Sequence, residues 1–288
     1  MGRANLSIVS FNSSRRGLNS LKTSERSTYL KSIFEGSSPD SCLLPGDDKA
    51  MSMNAVVGYG QYQVISADGT VLLYDNKRIS MSEPQVSLNS FGPLPELYTY
   101  KMVCPSVQVL DGRSVVKEFS LVSWKYTMFT ESKERTRTLE STIVFSQRLA
   151  FSTGKPVFIG GEMAIDCETI QTITTNLSQK GKERFLSDAQ SEMVEHAFLP
   201  STTSATFRDR RHLFELKLYR CKSGPMLSSS GSQPDCFISS KILELSEAKL
   251  VDVEKVCSRQ CKLETLRKIC PTETTVTIPQ RPPRHQGG

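Results

Sequence analysis

Two Asp-Gly pairs constrain this chain more than any other feature. Asp68-Gly69 lies within "GQYQVISADGTVLLYDN", and Asp111-Gly112 lies within "VQVLDGRSVVKEFSLVSW". Both pairs sit between runs that alternate apolar and polar side chains, the period of a half-buried strand, and Asp-Gly favours a hairpin turn. Successive hairpins demand antiparallel neighbours, so a doubly wound parallel sheet is excluded. The N-terminus asks for the opposite connection. "NLSIVSFN" (5–12) alternates as a first strand, and "TSERSTYLKSIFEG" places Tyr29, Leu30, Ile33 and Phe34 on one helical face, with Gly36 as its stop. A short buried strand within "SPDSCLL" (38–44) follows. Strand, helix and strand on short links form a right-handed crossover with parallel strands. The sheets are therefore mixed.

The rest of the chain extends this scheme. "TESKERTRTLESTIVFSQRLAFSTG" (130–154) predicts a long helix, with Glu131 and Glu134 at its positive end and Gly154 closing it. "KPVFIGGEMAID" (155–166) predicts a buried strand, and Asp166 predicts the cap of a helix over 167–178. Strands are expected within 214–221, 235–240 and 248–256. The Pro-, Gly- and Arg-rich end predicts a disordered tail over 277–288 behind a single domain over 1–276. The expected fold is a four-layered α/β sandwich, two packed mixed sheets flanked by helices. A length of 288 residues supplies the core this needs.

Charge and cysteine content narrow the function classes. With 36 basic and 30 acidic residues the net charge is +6, scattered apart from "RDRRH" (208–212) and the tail. That balance suits an anionic ligand but not a dedicated nucleic-acid binder with clustered basic runs. "RDRRH" reads either as a solvated loop or as a phosphate contact. No apolar run approaches the ~18 residues of a membrane span, and "MGRANLSIVS" has no secretory layout. An intracellular, cytoplasmic location is expected. The eight cysteines then read as free thiols in a reducing compartment. Cys257 and Cys261 are four apart, but no CxxC pair or nearby His supports a metal site there.

Six short stretches, taken in order, carry a resemblance. "LSIVSFN" resembles a first strand that ends in Asn. "SPDSCLLPGD" resembles a second strand of the form PDI-x-x-LQE, and "GTVLLYD" resembles an ILYD strand. "FSLVSWKY" resembles F-x-V-x-SWH, "KPVFIGGEMAID" resembles P-x-IIGGDFN, and "PDCFISS" resembles IDY-x-x-x-S. Together they resemble the endonuclease/exonuclease/phosphatase superfamily over residues 5–256. The resemblance implies a two-sheet sandwich and a Mg²⁺-dependent phosphoester hydrolase. In that scheme an Asn and a Glu hold metal and phosphate, an Asp-x-Asn pair orients the attacking water, and two His assist.

Carried over residue by residue, the scheme is only partly present. Asn12 and Asp235 match. Gly46 stands at the metal Glu, with Asp47 and Asp48 following. Lys125 stands at the first His, Glu162 at the water-orienting Asp and Ala164 at its Asn. No "SDH" occurs, and none of His196, His212 and His285 has that context; the nearest C-terminal slot, "PTETTVTI", offers Glu273. Each lost general acid or base costs on the order of 10²–10⁴-fold in rate. The expectation is a catalytically degenerate member that acts as a binding or interaction module, for a phosphate-bearing ligand or nucleic acid, without a cofactor. The alternative is an active Mg²⁺-dependent phosphodiester or phosphomonoester hydrolase. It would use Asn12, Lys125, Glu162 and Asp235 at the reacting centre and Asp47 with Glu162 as metal carboxylates. Bland readings stand beside these: Asn12 as a turn former, Asp47 in a solvated turn, Lys125 pointing to water, Asp235 as a paired structural acid, and a plain structural domain with no ligand.

Overall fold

The computed structural model describes residues 4–10, 23–45, 61–67, 70–82, 101–125, 132–161, 165–188, 210–220, 236–246, 248–251 and 272–278. Fourteen strands and three α-helices lie among them. The first sheet is built from β1 (Ala4–Ser10), β2 (Ser41–Pro45), β3 (Tyr62–Ala67), β4 (Thr70–Asp75), β12 (Glu244–Leu245), β13 (Lys249–Leu250) and β14 (Thr272–Ile278). Its order is β12-β14-β1-β2-β4-β3, with β13 also on β14. The second sheet is built from β5 (Ile79–Ser82), β6 (Lys101–Val103), β7 (Ser106–Asp111), β8 (Ser114–Lys125), β9 (Val157–Gly161), β10 (Leu216–Tyr219) and β11 (Phe237–Ser240). Its order is β10-β11-β9-β8-β7-β5, with β6 also on β8. Only β1–β2 and β8–β9 run parallel; every other pair is antiparallel.

Alternation along the strands sorts their side chains into three apolar layers. Leu6 and Ile8 of β1, Leu43 of β2 and Leu72 of β4 face Phe119 and Leu121 of β8, Phe158 of β9 and Phe237 of β11 between the sheets. The opposite face of the first sheet gives Val9, Cys42, Leu44, Val71 and Leu73 to Tyr29, Leu30, Ile33 and Phe34 of α1 (Thr23–Ser37). The opposite face of the second sheet gives Val122, Val157, Ile159 and Ile238 to α2 (Ser132–Thr153) and α3 (Cys167–Asp188). Central strands therefore bury both faces and read as continuous apolar runs, as in "VFIGG". The result is the expected four-layered α/β sandwich, helix on sheet on sheet on helices.

Several boundaries differ from the sequence expectation, each for a local reason. The second hairpin turns through Gly112-Arg113, because Asp111 still pairs with Ser114. Gly112 takes φ +61°, a first turn position at which type II′ turns favour glycine. Helix α1 passes Gly36 and stops where Ser38 adopts φ 44° and its N–H donates to the Phe34 carbonyl at 3.0 Å, just before Pro39. Gly154 closes α2 with φ +65°, as expected. Asp166 caps α3 as expected, its Oδ1 accepting from the Thr169 N–H at 2.7 Å, but the helix continues to Asp188. The strand expected over 248–256 is described only as Lys249–Leu250.

Strand β14 was not anticipated, and it extends two residues past 276; residues 279–288 lie outside the described set. Its run "TETTVTI" is polar by composition. Threonine is nevertheless β-branched, and Thr274 and Val276 alternate into the core.

Candidate functional site

The parallel pair at the centre of each sheet aims its carboxyl ends at one edge. In the first sheet Ser10 at the end of β1 lies opposite Leu43 of β2. In the second, Trp124 of β8 lies opposite Gly161 of β9. Strand β11 runs antiparallel to β9, with Ile238 opposite Ile159, so its start adjoins the end of β9. Gly160 ties the two sheets together at this edge. A Cβ there would collide with Leu43 Cδ1 from the facing sheet and would press Phe237 at 3.2 Å and Phe158 at 3.3 Å. The next residue, Gly161, takes φ +120°, a conformation that side chains rarely tolerate. The double glycine thus lets two sheets close on each other and then turns the chain out.

All five residues expected at the site adjoin this edge in sequence. Asn12 follows the end of β1 by two residues, and Asp47 follows the end of β2 by two. Glu162 follows the end of β9 directly, and Asp235 precedes the start of β11 by two. Those four lie outside the described residues, as do Asp48, Ala164, His196 and His285. Lys125 is the last residue of β8, and its backbone pairs with Lys101 of β6. The structure therefore brings together the strand ends that carry the expected residues, while the side chains of those residues are not described.

What is described beneath the edge is a change from apolar to polar. Along β1 the inward positions run Leu6, Ile8, Ser10; along β8 they run Phe119, Leu121, Ser123; along β9 they run Phe158, Gly160. Ser10 and Ser123 are both fully buried, and Ser123 Oγ has no hydrogen-bond partner among the described residues. A buried hydroxyl without a partner costs roughly 1–3 kcal/mol. The motif comparison missed these two serines. Their signal was a polar residue where an alternating apolar run ends, in "SIVS" and "LVSW".

Other charged candidates have structural duties. Glu273 lies opposite Val9, on the face away from the sheet–sheet layer, accepts from Ser7 Oγ at 2.9 Å and pairs with Lys249 at 3.7 Å. Arg210 of "RDRRH" donates to the Phe151 and Ser152 carbonyls at 2.7 and 3.1 Å, capping the end of α2. Arg208 and Asp209 of the stretch lie outside the described residues. His212 is exposed.

The resemblance implies a divalent metal. Among the described residues no three His, Cys, Asp or Glu side chains gather on a point, and the acids named for that role are not among them. By donor chemistry Asp47 and Glu162 offer hard oxygen ligands, which suit Mg²⁺. Gly46, directly after β2, offers none.

The comparisons with known proteins agree with this architecture. No family model and no curated protein matches the sequence. Solved structures do match in shape. An endonuclease/exonuclease/phosphatase family protein from Bacteroides thetaiotaomicron superposes with a TM-score of 0.63 at 10% identity, over 97% of this chain and 100% of that one. The human Nocturnin catalytic domain with a bound sulfate anion gives 0.56 at 11% identity, over 97% and 96%. D. rerio TDP2 complexed with a single-strand DNA product gives 0.53 at 14% identity, over 95% and 98%. Identities this low speak to fold alone. The chain has the endonuclease/exonuclease/phosphatase fold, and its candidate site lies where the parallel strands of both sheets end. Among the described residues no helix is long and apolar enough to cross a membrane.

Proposed function

We propose that this protein is a catalytically degenerate form of the endonuclease/exonuclease/phosphatase fold that binds a phosphate-bearing ligand at the strand-end edge. The observation that carries the reading is the double glycine. In the motif comparison Gly160-Gly161 introduces the water-orienting acid, so its presence first suggests retained chemistry. Here both glycines have packing reasons, the close approach of Leu43 and the φ of +120°. Their presence therefore requires no surviving reaction. The residues that would perform the reaction are replaced at Gly46, Lys125 and Ala164, and "SDH" is absent. A lysine at the end of β8 supplies a point charge for phosphate. Buried Ser10 and Ser123 add hydroxyls below the edge. The sulfate on Nocturnin and the DNA product on TDP2 support an anion on this fold.

The second reading is an active hydrolase. One observation favours it: β9 and β11 are neighbours, so Glu162 and Asp235 follow and precede adjacent strand ends. Asp47 and Glu162 would hold Mg²⁺, which supplies charge neutralisation at the phosphoryl oxygens.

Binding of inorganic phosphate and of a short 5′-phosphorylated oligonucleotide, with and without Mg²⁺, separates the two. The degenerate reading expects metal-independent binding that Lys125→Ala weakens severalfold, and no rise in melting temperature with millimolar Mg²⁺. Mg²⁺-dependent stabilisation by mass action, lost in Glu162→Gln, would favour the hydrolase.

A further inference from the structure

None of the four described cysteines is in a disulfide. Cys42 and Cys104 are buried in apolar layers, and burial pushes the Cys104 thiol up to about 12, which leaves it inert. Cys167 and Cys236 differ. They are 69 residues apart in sequence, yet their Sγ atoms lie 2.9 Å apart. Cys167 is the first residue of α3, next to the Asp166 cap, and is partly exposed. Cys236 immediately precedes β11 and is 2% exposed. Both face the helix side of the second sheet. We propose that Cys167 and Cys236 form a peroxide-sensitive dithiol that closes to an intramolecular disulfide, with Cys167 as the attacking and Cys236 as the resolving thiol.

The assignment of roles follows from placement. Cys167 has access to solvent and sits where the α3 backbone N–H groups favour a thiolate. Its thiol is lowered to about 7, first by the hydrogen bond with Cys236, with a further contribution from Arg220; Asp166 and burial act in the opposite sense. Cys236 is buried within reach of it, so it meets Cys167 before any external thiol. The Cys167 sulfur attacks one peroxide oxygen; an S–O bond forms, the O–O bond breaks, and the departing hydroxide leaves as water. The Cys236 sulfur then attacks the Cys167 sulfenic sulfur; an S–S bond forms, the S–O bond breaks, and a second water carries away the thiol proton. Two thiols lose two electrons and one peroxide is reduced to two waters. The link ties the start of α3 to the start of β11. It requires nothing of the proposed ligand site, although it lies beside it.

Stoichiometric hydrogen peroxide on the full reduced chain, followed by non-reducing peptide mapping, tests this. The expected product is one cross-linked peptide pair, Cys167–Cys236, formed ahead of any change at Cys42 or Cys104 and reversed by dithiothreitol. Cys236→Ala should instead accumulate a dimedone-reactive sulfenic acid at Cys167, and Cys167→Ser should give neither product. The disulfide should raise the melting temperature of the wild-type chain. A folded wild-type chain, checked by circular dichroism, that consumes peroxide without forming this link would overturn the proposal. Oxidation of Cys104 at the same rate would overturn it as well. Both readouts stand whether or not phosphate binds.

Discussion

The two sheets repeat one scheme under different cover. Each places a parallel pair at its centre, β1–β2 or β9–β8. An antiparallel pair flanks it on one side, β14–β12 or β11–β10, and another extends the opposite side, β4–β3 or β7–β5. Among the described residues, the first sheet is covered by the 15-residue α1, while the second is covered by two 22-residue helices and the 3₁₀ turn Arg211–Phe214. The shared scheme sends four parallel strand ends to one edge, and this is a matter of pairing and packing alone. The difference lies in what hangs from the ends. Lys125, Glu162, Asp235 and the Cys167–Cys236 pair all attach to the second sheet; Asn12 and Asp47 attach to the first. A framework shared by both halves can persist while the groups at its rim change.

The sharpest way to break that comparison is to damage the layer both sheets share. Phe158 is fully buried there, with its ring 5.4 Å from that of Phe237. Phe158→Ala should cost about 3–5 kcal/mol in chemical denaturation, and both sheets should unfold in one transition. Separate transitions for the two halves would show that the layer does not unite them.

A smaller effect is expected at the point where the sheets touch. Gly160→Ala should cost roughly 1–3 kcal/mol by overpacking against Leu43. Combining it with Leu43→Ala should cost less than the sum of the two single changes, because the sites share one space. Strict additivity would deny the contact its role.

The smallest effect belongs to the second sheet's cover alone. Asp166→Ala removes the α3 cap and should cost on the order of 1 kcal/mol at neutral pH, with Asp166→Asn milder. The Asp166 carboxyl is held below its usual range, first by the Thr169 backbone N–H. Its contribution is therefore present above the unfolded aspartate pKa and lost as pH falls through the lower folded value. The penalty of Asp166→Ala should shrink over that window, as measured by melting temperature against pH.

Most of the framework was legible because periodicity reports burial directly. The hairpins, the crossover and the helix faces of Tyr29, Leu30, Ile33 and Phe34 all follow from it. β14 escaped because threonine pairs well in a sheet while reading as polar. The Gly36 stop failed because an exposed glycine costs a helix only about 1 kcal/mol, whereas Ser38 before Pro39 cannot extend it. Motif order set the expected site residues beside strand ends, which follow from the same alternation, while Asn12, Asp47, Glu162 and Asp235 themselves lie outside the described residues. The inward serines left only a faint mark, a single polar residue closing an alternating apolar run, which motif order passes over. The capping role of Arg210 was not legible, because its partners, the Phe151 and Ser152 carbonyls, are 59 and 58 residues away in sequence.

The central claim is that the fold is kept while bond cleavage is lost. It is tested most directly by Mg²⁺-dependent hydrolysis of a generic phosphodiester, comparing the wild-type chain with a Glu162→Gln, Asp235→Asn double variant. The account predicts no turnover above background in the wild type, and therefore no difference between the two. Robust metal-dependent turnover that the double variant abolishes would contradict it.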